Sequence, residues 1–135
     1  MREIKFRAWL EGTHDNLTIP KPVMEYGVVL STEGNYLSVE AGWDIQGEYP
    51  TIPVMQFTGL KDKNGIEIYD GDILSKTYSD DLDDETETVL RKVIWDKNHA
   101  CFILSNAHVA FDVYKCIVVG NIYENPELFK KEEQK

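Results

Sequence analysis

The chain has 135 residues, with 24 Asp and Glu against 14 Lys and Arg, a net charge of −10 and a pI near 4.7. That length suits one domain with a real core, and a hydrophobic fraction of 42% suits a folded protein over a disordered one. The charge disfavours nucleic acid and anionic membranes, which need a surplus of Lys and Arg, and points to neutral or basic partners.

The opening residues, Met1-Arg2-Glu3-Ile4-Lys5-Phe6, mix charges and lack the apolar centre of a signal peptide. No apolar run approaches the roughly 20 residues needed to span a bilayer, so a cytoplasmic location is expected. Ile4 to Trp9 reads as a first strand, with Ile4, Phe6 and Ala8 on one face and Lys5, Arg7 and Trp9 on the other. A basic side chain stacking on Trp9 is one outcome; Trp9 packed under a loop is the favoured one. Glu11 to Pro22 reads as loop, because Gly12, Asp15, Asn16, Pro20 and Pro22 are breakers, and His14 within it has no local partners for a metal.

Glu25–Leu30 and Tyr36–Ala41 read as short strands around Ser31-Thr32-Glu33-Gly34-Asn35. Gly42 to Pro53 reads as loop, and Pro50 and Pro53 exclude a central strand at Thr51-Ile52. Trp43 and Tyr49 lie in it, as contact anchors or, more commonly, as aromatics tucked onto the core. The expected subdivision is an N-terminal β region over 1–50, a barrel-like region over 51–124, and a helix with a polar tail over 125–135.

Val54 to Leu74 holds the strongest turn signals. Met55-Gln56-Phe57-Thr58 reads as a strand that Gly59 breaks, and Asn64-Gly65 as a hairpin turn with positive φ. Ile66-Glu67-Ile68-Tyr69 reads as a short strand with Ile66 and Ile68 on one core face; Asp70-Gly71-Asp72 is a second turn before Ile73-Leu74. Short strands with glycine-rich corners mark a small barrel or sandwich, and the Gly-Asp turn into an apolar strand looks like entry into an SH3-like barrel strand.

Asp80, Asp81, Asp83, Asp84, Glu85 and Glu87 form an acidic run without Lys or Arg, best read as a solvated hairpin loop; the spacing is not that of an EF-hand. Thr88–Asp96 reads as a clear strand with Val89, Arg91, Val93 and Trp95 on one face, turned by Asp96-Lys97-Asn98-His99 into Ala100–Leu104. Asp112–Val119 reads as the last long strand, ended by Gly120. Asn125-Pro126-Glu127-Leu128 reads as a helix start, with Asn125 at the N-cap, Pro126 at N1, and Leu128 and Phe129 seating the helix.

The chemistry-bearing residues are few. Cys101 and Cys116 are too few for a disulfide framework and read as buried, reduced thiols, with a bond between them as the alternative. Together with His99 and His108 they make two Cys and two His, but no Cys-x-x-Cys pair seeds a zinc site. Asp62, Glu67, Asp70 and Asp72 cluster, and paired carboxylates can hold a divalent cation or move protons. Turn formation accounts for Asp62 and Asp70, and Asp72 can accept backbone N–H groups. No phosphate loop or nucleophile elbow is present. The expectation is therefore no enzyme, with no catalytic, cofactor-binding or metal residues and no cofactor.

Three segments carry a resemblance: Phe6-Arg7-Ala8-Trp9; Gln56-Phe57-Thr58-Gly59-Leu60-Lys61-Asp62-Lys63-Asn64-Gly65 with Glu67-Ile68-Tyr69-Asp70-Gly71-Asp72-Ile73; and Val119-Gly120-Asn121-Ile122-Tyr123-Glu124-Asn125-Pro126-Glu127-Leu128. Together they resemble the opening, middle and closing signatures of the YopX family of phage and prophage proteins. Leu10 departs from the acidic residue that often follows the opening Trp in that family. The resemblance implies a phage or prophage protein in a host cytoplasm and supplies no functional residues to carry over.

The resulting expectation is a mainly β chain: an N-terminal β-hairpin region, a small, partly open SH3-like β-barrel, and a short C-terminal helix. Its expected role is that of a non-enzymatic accessory protein acting through protein contacts, self-association included, because barrel strand edges need covering. One alternative is an acidic mimic of nucleic acid that occupies a basic host factor. Another is a metal-dependent enzyme using Asp70 and Asp72.

Overall fold

The structure is a computed structural model that describes residues 3–14, 17–30, 36–38, 44–46, 52–79, 86–105 and 113–129. The chain is mainly β, with a sheet curled into a half-barrel and a short helix at 127–129. It divides into two units, Met1–Phe57 and Thr58–Lys135.

The first unit is built on a long hairpin of β1 (Phe6–His14) and β2 (Leu17–Leu30). Both strands enter the stretch expected to be loop. The register explains how β2 passes through Pro20 and Pro22: Leu10 pairs with Val23, but the next pair is Gly12 with Ile19. Glu11 therefore faces Pro20-Lys21-Pro22, and the prolines sit where the ladder is interrupted and needs no N–H from them.

β3 (Tyr36–Ser38) pairs with β2, and β4 (Asp44–Gln46) pairs with β3. β4 lies in the expected Gly42–Pro53 loop; among the described residues of that stretch, Ile52 and Pro53 stay outside strands. On the other side of β1 lies the start of β5 (Val54–Lys61), with Phe6 opposite Gln56 and Ala8 opposite Val54. Ala8, Leu10, Ile19, Val28 and Ile52 form the core of this unit. Arg7 and Trp9, on the opposite face of β1, are also buried. The Arg7 guanidinium lies 5.9 Å from the Tyr26 ring centre. Ser31–Asn35, Trp43, Tyr49 and the His14 side chain lie outside what is described.

In the second unit the chain continues along β5. Gly59, with φ of 88°, does not end the strand, which runs on to Lys61. β6 (Glu67–Tyr69) forms a hairpin with it. Ile68 is buried, but Ile66 lies outside β6 and is 52% exposed, so the two do not share a core face. β7 (Asp72–Ser79), β8 (Thr86–Asp96), β9 (Cys101–Leu104) and β10 (Ile117–Asn121) make an antiparallel sheet in the order β10-β7-β8-β9. Its core is Ile68, Leu74, Val93, Leu104, Val113 and Cys116, with Phe102 and Val118 against it. The acidic residues 80–85 lie outside the described residues.

The expected long strand over Asp112–Val119 is two elements. Val113–Lys115 form a 3-10 turn, closed by the Cys116 N–H donating to the Val113 carbonyl at 3.0 Å, and β10 begins only at Ile117. The alternating apolar pattern was shared by both pieces, which is why it read as one strand. Cys116 is thus buried just before β10, not in mid-strand.

Candidate functional site

Asp62 and Asn125, from the middle and closing segments of the chain, both reach β10. Asp62 opens the turn between β5 and β6. Its own N–H donates to the Ile66 carbonyl at 2.8 Å, and the Gly65 N–H donates to the Asp62 carbonyl at 3.1 Å. Only Gly65 takes a positive φ, 81°; Asn64 does not, so the turn is the longer hairpin type with one left-handed residue. One oxygen of the Asp62 carboxylate accepts the N–H groups of Asn64 at 2.8 Å and Ile66 at 2.9 Å. The other accepts the Val118 N–H of β10 at 2.9 Å. Beside it the Lys63 N–H donates to the Cys116 carbonyl at 2.9 Å.

Asp62 is buried. Burial by itself raises a carboxyl pKa, but the N–H groups of Val118, Ile66, Asn64 and Gly65 outweigh it and hold Asp62 below the usual 3.8. A carboxylate held this way is an ionised structural acceptor, poorly placed to act as a general acid.

The far end of β10 is closed by the turn over Asn121–Asn125. The Asn125 side-chain oxygen accepts the Asn121 N–H at 3.2 Å, and the Asn125 N–H donates to the Asn121 carbonyl at 2.9 Å. Asn121 in turn accepts the N–H groups of Tyr123 and Glu124 at 3.0 and 2.8 Å. The Asn125 side chain therefore points back to β10 and does not cap the helix as expected; the helix takes only its carbonyl, from the Leu128 N–H at 3.2 Å. Gly120 permits this approach, because a side chain there would collide with Asn125. Phe129 lies under the Lys92 ammonium, 5.0 Å from the ring centre, which ties the helix to β8.

Asp70 and Asp72 flank the β6–β7 turn. The Asp72 carboxylate is buried and accepts the Tyr69 N–H at 2.7 Å. Between them, Gly71 donates to the Val93 carbonyl and accepts from the Ile122 N–H, both at 2.9 Å. Among the described residues no group of three or more His, Cys, Asp and Glu is placed to hold a metal ion. Cys101 and Cys116 are both free thiols; Cys101 is exposed, against the expectation that both are buried, because it begins an edge strand at the β8–β9 turn. His108 lies outside the described residues. His99 Nδ1 is 2.7 Å from the Asp96 carboxylate; that hydrogen bond, then the Asn98 N–H, holds Asp96 below its usual value.

The sequence reading gave Asp62 its turn role but missed its bond to Val118, and missed Asn121 and Asn125 as edge caps. The first joins residues 56 positions apart, beyond the reach of any local pattern. The second had a local signal, an Asn four residues before an Asn-Pro, which the helix-start reading absorbed.

A family model described as "YopX protein" matches residues 5–130. The chain belongs to the YopX family. It is also similar to protein EF1440 from Enterococcus faecalis, whose crystal structure superposes with a TM-score of 0.65 at 24% identity, covering 95% of this chain and 99% of that one. At that identity the likeness speaks for the fold. No curated protein matches the chain. Among the described residues no helix is long and apolar enough to cross a membrane.

Proposed function

We propose that the chain is a non-enzymatic accessory protein of a phage or prophage, working in the cytoplasm of the host cell through contacts with itself and with a host or phage protein. The observation that carries this reading is the contrast between its carboxylates and its surface aromatics. Asp62 and Asp72 are engaged by backbone N–H groups. Trp95, by contrast, is 50% exposed and is propped by Phe102 in an edge-to-face contact at 5.0 Å. Trp is among the side chains enriched at the energetic centre of protein interfaces.

The test is capture of partners from host lysate with the tagged protein, at low and high salt, beside Trp95→Ala. A stoichiometric partner that survives high salt and is lost with Trp95→Ala supports the reading. A basic factor that is released as salt rises, with Trp95→Ala indifferent, contradicts it in favour of nucleic-acid mimicry. Calorimetry with Mg²⁺, Mn²⁺ and Zn²⁺ is the second arm: millimolar binding that is lost on substituting Asp70 contradicts the non-enzymatic reading.

A further inference from the structure

Asn64-Gly65 is the only Asn-Gly pair in the sequence. It sits at the tip of the β5–β6 turn, with both residues exposed. The pair is chemically reactive, because glycine has no side chain to hinder its amide nitrogen from attacking the asparagine side chain, and its backbone swings most freely. Steric cover is missing here: nothing lies within 4 Å of where a Gly65 Cβ would stand. Hydrogen bonds hold the turn instead. Every backbone N–H from Asp62 to Ile66 has an acceptor. Asp62 donates to the Ile66 carbonyl, Lys63 to the Cys116 carbonyl, Asn64 and Ile66 to one oxygen of the Asp62 carboxylate, and Gly65 to the Asp62 carbonyl at 3.1 Å. The Gly65 proton, which must leave before its nitrogen can react, is thus tied down. Asp62 is also held ionised, and its negative charge opposes the amide anion that makes the attack.

We propose that Asn64-Gly65 is a latent deamidation site that takes only water as co-reactant, and that Asp62 keeps it closed while the turn is folded. When the turn opens, the Gly65 N–H gives its proton to a solvent base and the nitrogen attacks Asn64 Cγ. The new C–N bond closes a five-membered succinimide. The Cγ–Nδ2 bond breaks, and Nδ2 takes a proton from solvent and leaves as ammonia. One water then opens the ring, and nothing is oxidised or reduced. Attack at Cγ leaves aspartate at position 64. Attack at the Asn64 backbone carbonyl carbon leaves isoaspartate, with the chain routed through the former side chain and one methylene longer. Either product places a new carboxylate near that of Asp62. Isoaspartate also changes the spacing of the Asn64 and Ile66 N–H groups, which share one Asp62 oxygen. The other oxygen holds Val118, so the modification loosens the tie between this turn and β10. The loss of ammonia is one-way, and its extent therefore records how long the turn has been open.

The test incubates the full chain at mildly alkaline pH and follows position 64 by peptide mass mapping, with isoaspartate resolved from aspartate by elution. The samples are folded wild type, wild type in urea, Asp62→Ala, Asp62→Asn, and Val93→Ala as a core-destabilised control that keeps the turn's bonds. Folded wild type is expected to react on the order of tenfold or more slower than wild type in urea. Folded Asp62→Ala should react on the order of tenfold faster than folded wild type, because each lost hydrogen bond raises the open fraction of the turn. Asp62→Asn keeps an oxygen for Asn64 and Ile66 but loses the charge and the bond to Val118, so its rate should fall between the two. It carries the comparison where Asp62→Ala does not fold. Val93→Ala should follow the wild type. Equal rates in folded and urea-treated wild type, no reaction in urea, no acceleration in the folded Asp62 variant, or an equal acceleration in Val93→Ala would each overturn the proposal.

Discussion

The chain writes Asp-Lys-Asn twice at a hairpin turn, as Asp62-Lys63-Asn64 between β5 and β6 and as Asp96-Lys97-Asn98 between β8 and β9. Locally the two turns agree. In each, the Asp carboxylate accepts the N–H two residues on, at 2.8 Å from Asn64 and 3.0 Å from Asn98. They part beyond that. Asp62 is buried and its second oxygen holds Val118 on a distant strand, whereas the second oxygen of Asp96 meets only His99, an exposed side chain three residues away. The first turn supplies its left-handed residue with Gly65, and the second with Ala100 at φ of 51°. An identical tripeptide therefore builds a structural clamp in one place and a solvated loop in the other, and what decides is the partner strand.

The largest effect is expected from removing the clamp. Asp62→Ala leaves the Asn64, Ile66 and Val118 N–H groups without their acceptor and should cost about 3 kcal/mol in denaturant unfolding. Asp96→Ala, the matching change in the other turn, loses hydrogen bonds that water can largely replace and should cost much less; an equal loss in both would dissolve the contrast. Next comes Gly65→Ala, which forces a side chain into the left-handed region at a cost of about 1–2 kcal/mol, read from the same curves. The opposite change at the second turn, Ala100→Gly, should stabilise by about 0.5 kcal/mol, since relief of strain exceeds the extra chain entropy of glycine only slightly.

Acid probes the clamp as well. The Asp62 pKa is lowered on folding, so its contribution is complete above the unfolded carboxyl range near 4 and is lost as pH falls through the lower folded value. Stability measured from pH 5 downward should therefore drop less steeply in Asp62→Asn than in the wild type. A parallel drop would mean that other carboxylates carry the acid sensitivity.

Legibility in the sequence followed the range of the interactions. The turns at Asn64-Gly65 and Asp70-Gly71 were readable because glycine and short polar side chains act on their immediate neighbours. The β8–β9 hairpin was readable because its apolar residues alternate. The β1–β2 hairpin was not, because Pro20 and Pro22 signal loop locally, and only the register with β1 shows that the ladder skips them. The turn at Val113–Lys115 hid in an alternating pattern that a 3-10 turn and a short strand can share. The edge of β10 was the least legible feature of all. It depends on Asp62 and Val118 meeting across the fold, and nothing near either residue announces the other.

The most direct test of the clamp is hydrogen exchange at the Val118 amide in dilute protein at neutral pH, wild type against Asp62→Asn. The clamp predicts a slow amide in the wild type that exchanges about tenfold faster or more once the carboxylate oxygen facing it becomes an amide. Equal exchange at Val118 in the two proteins would contradict it.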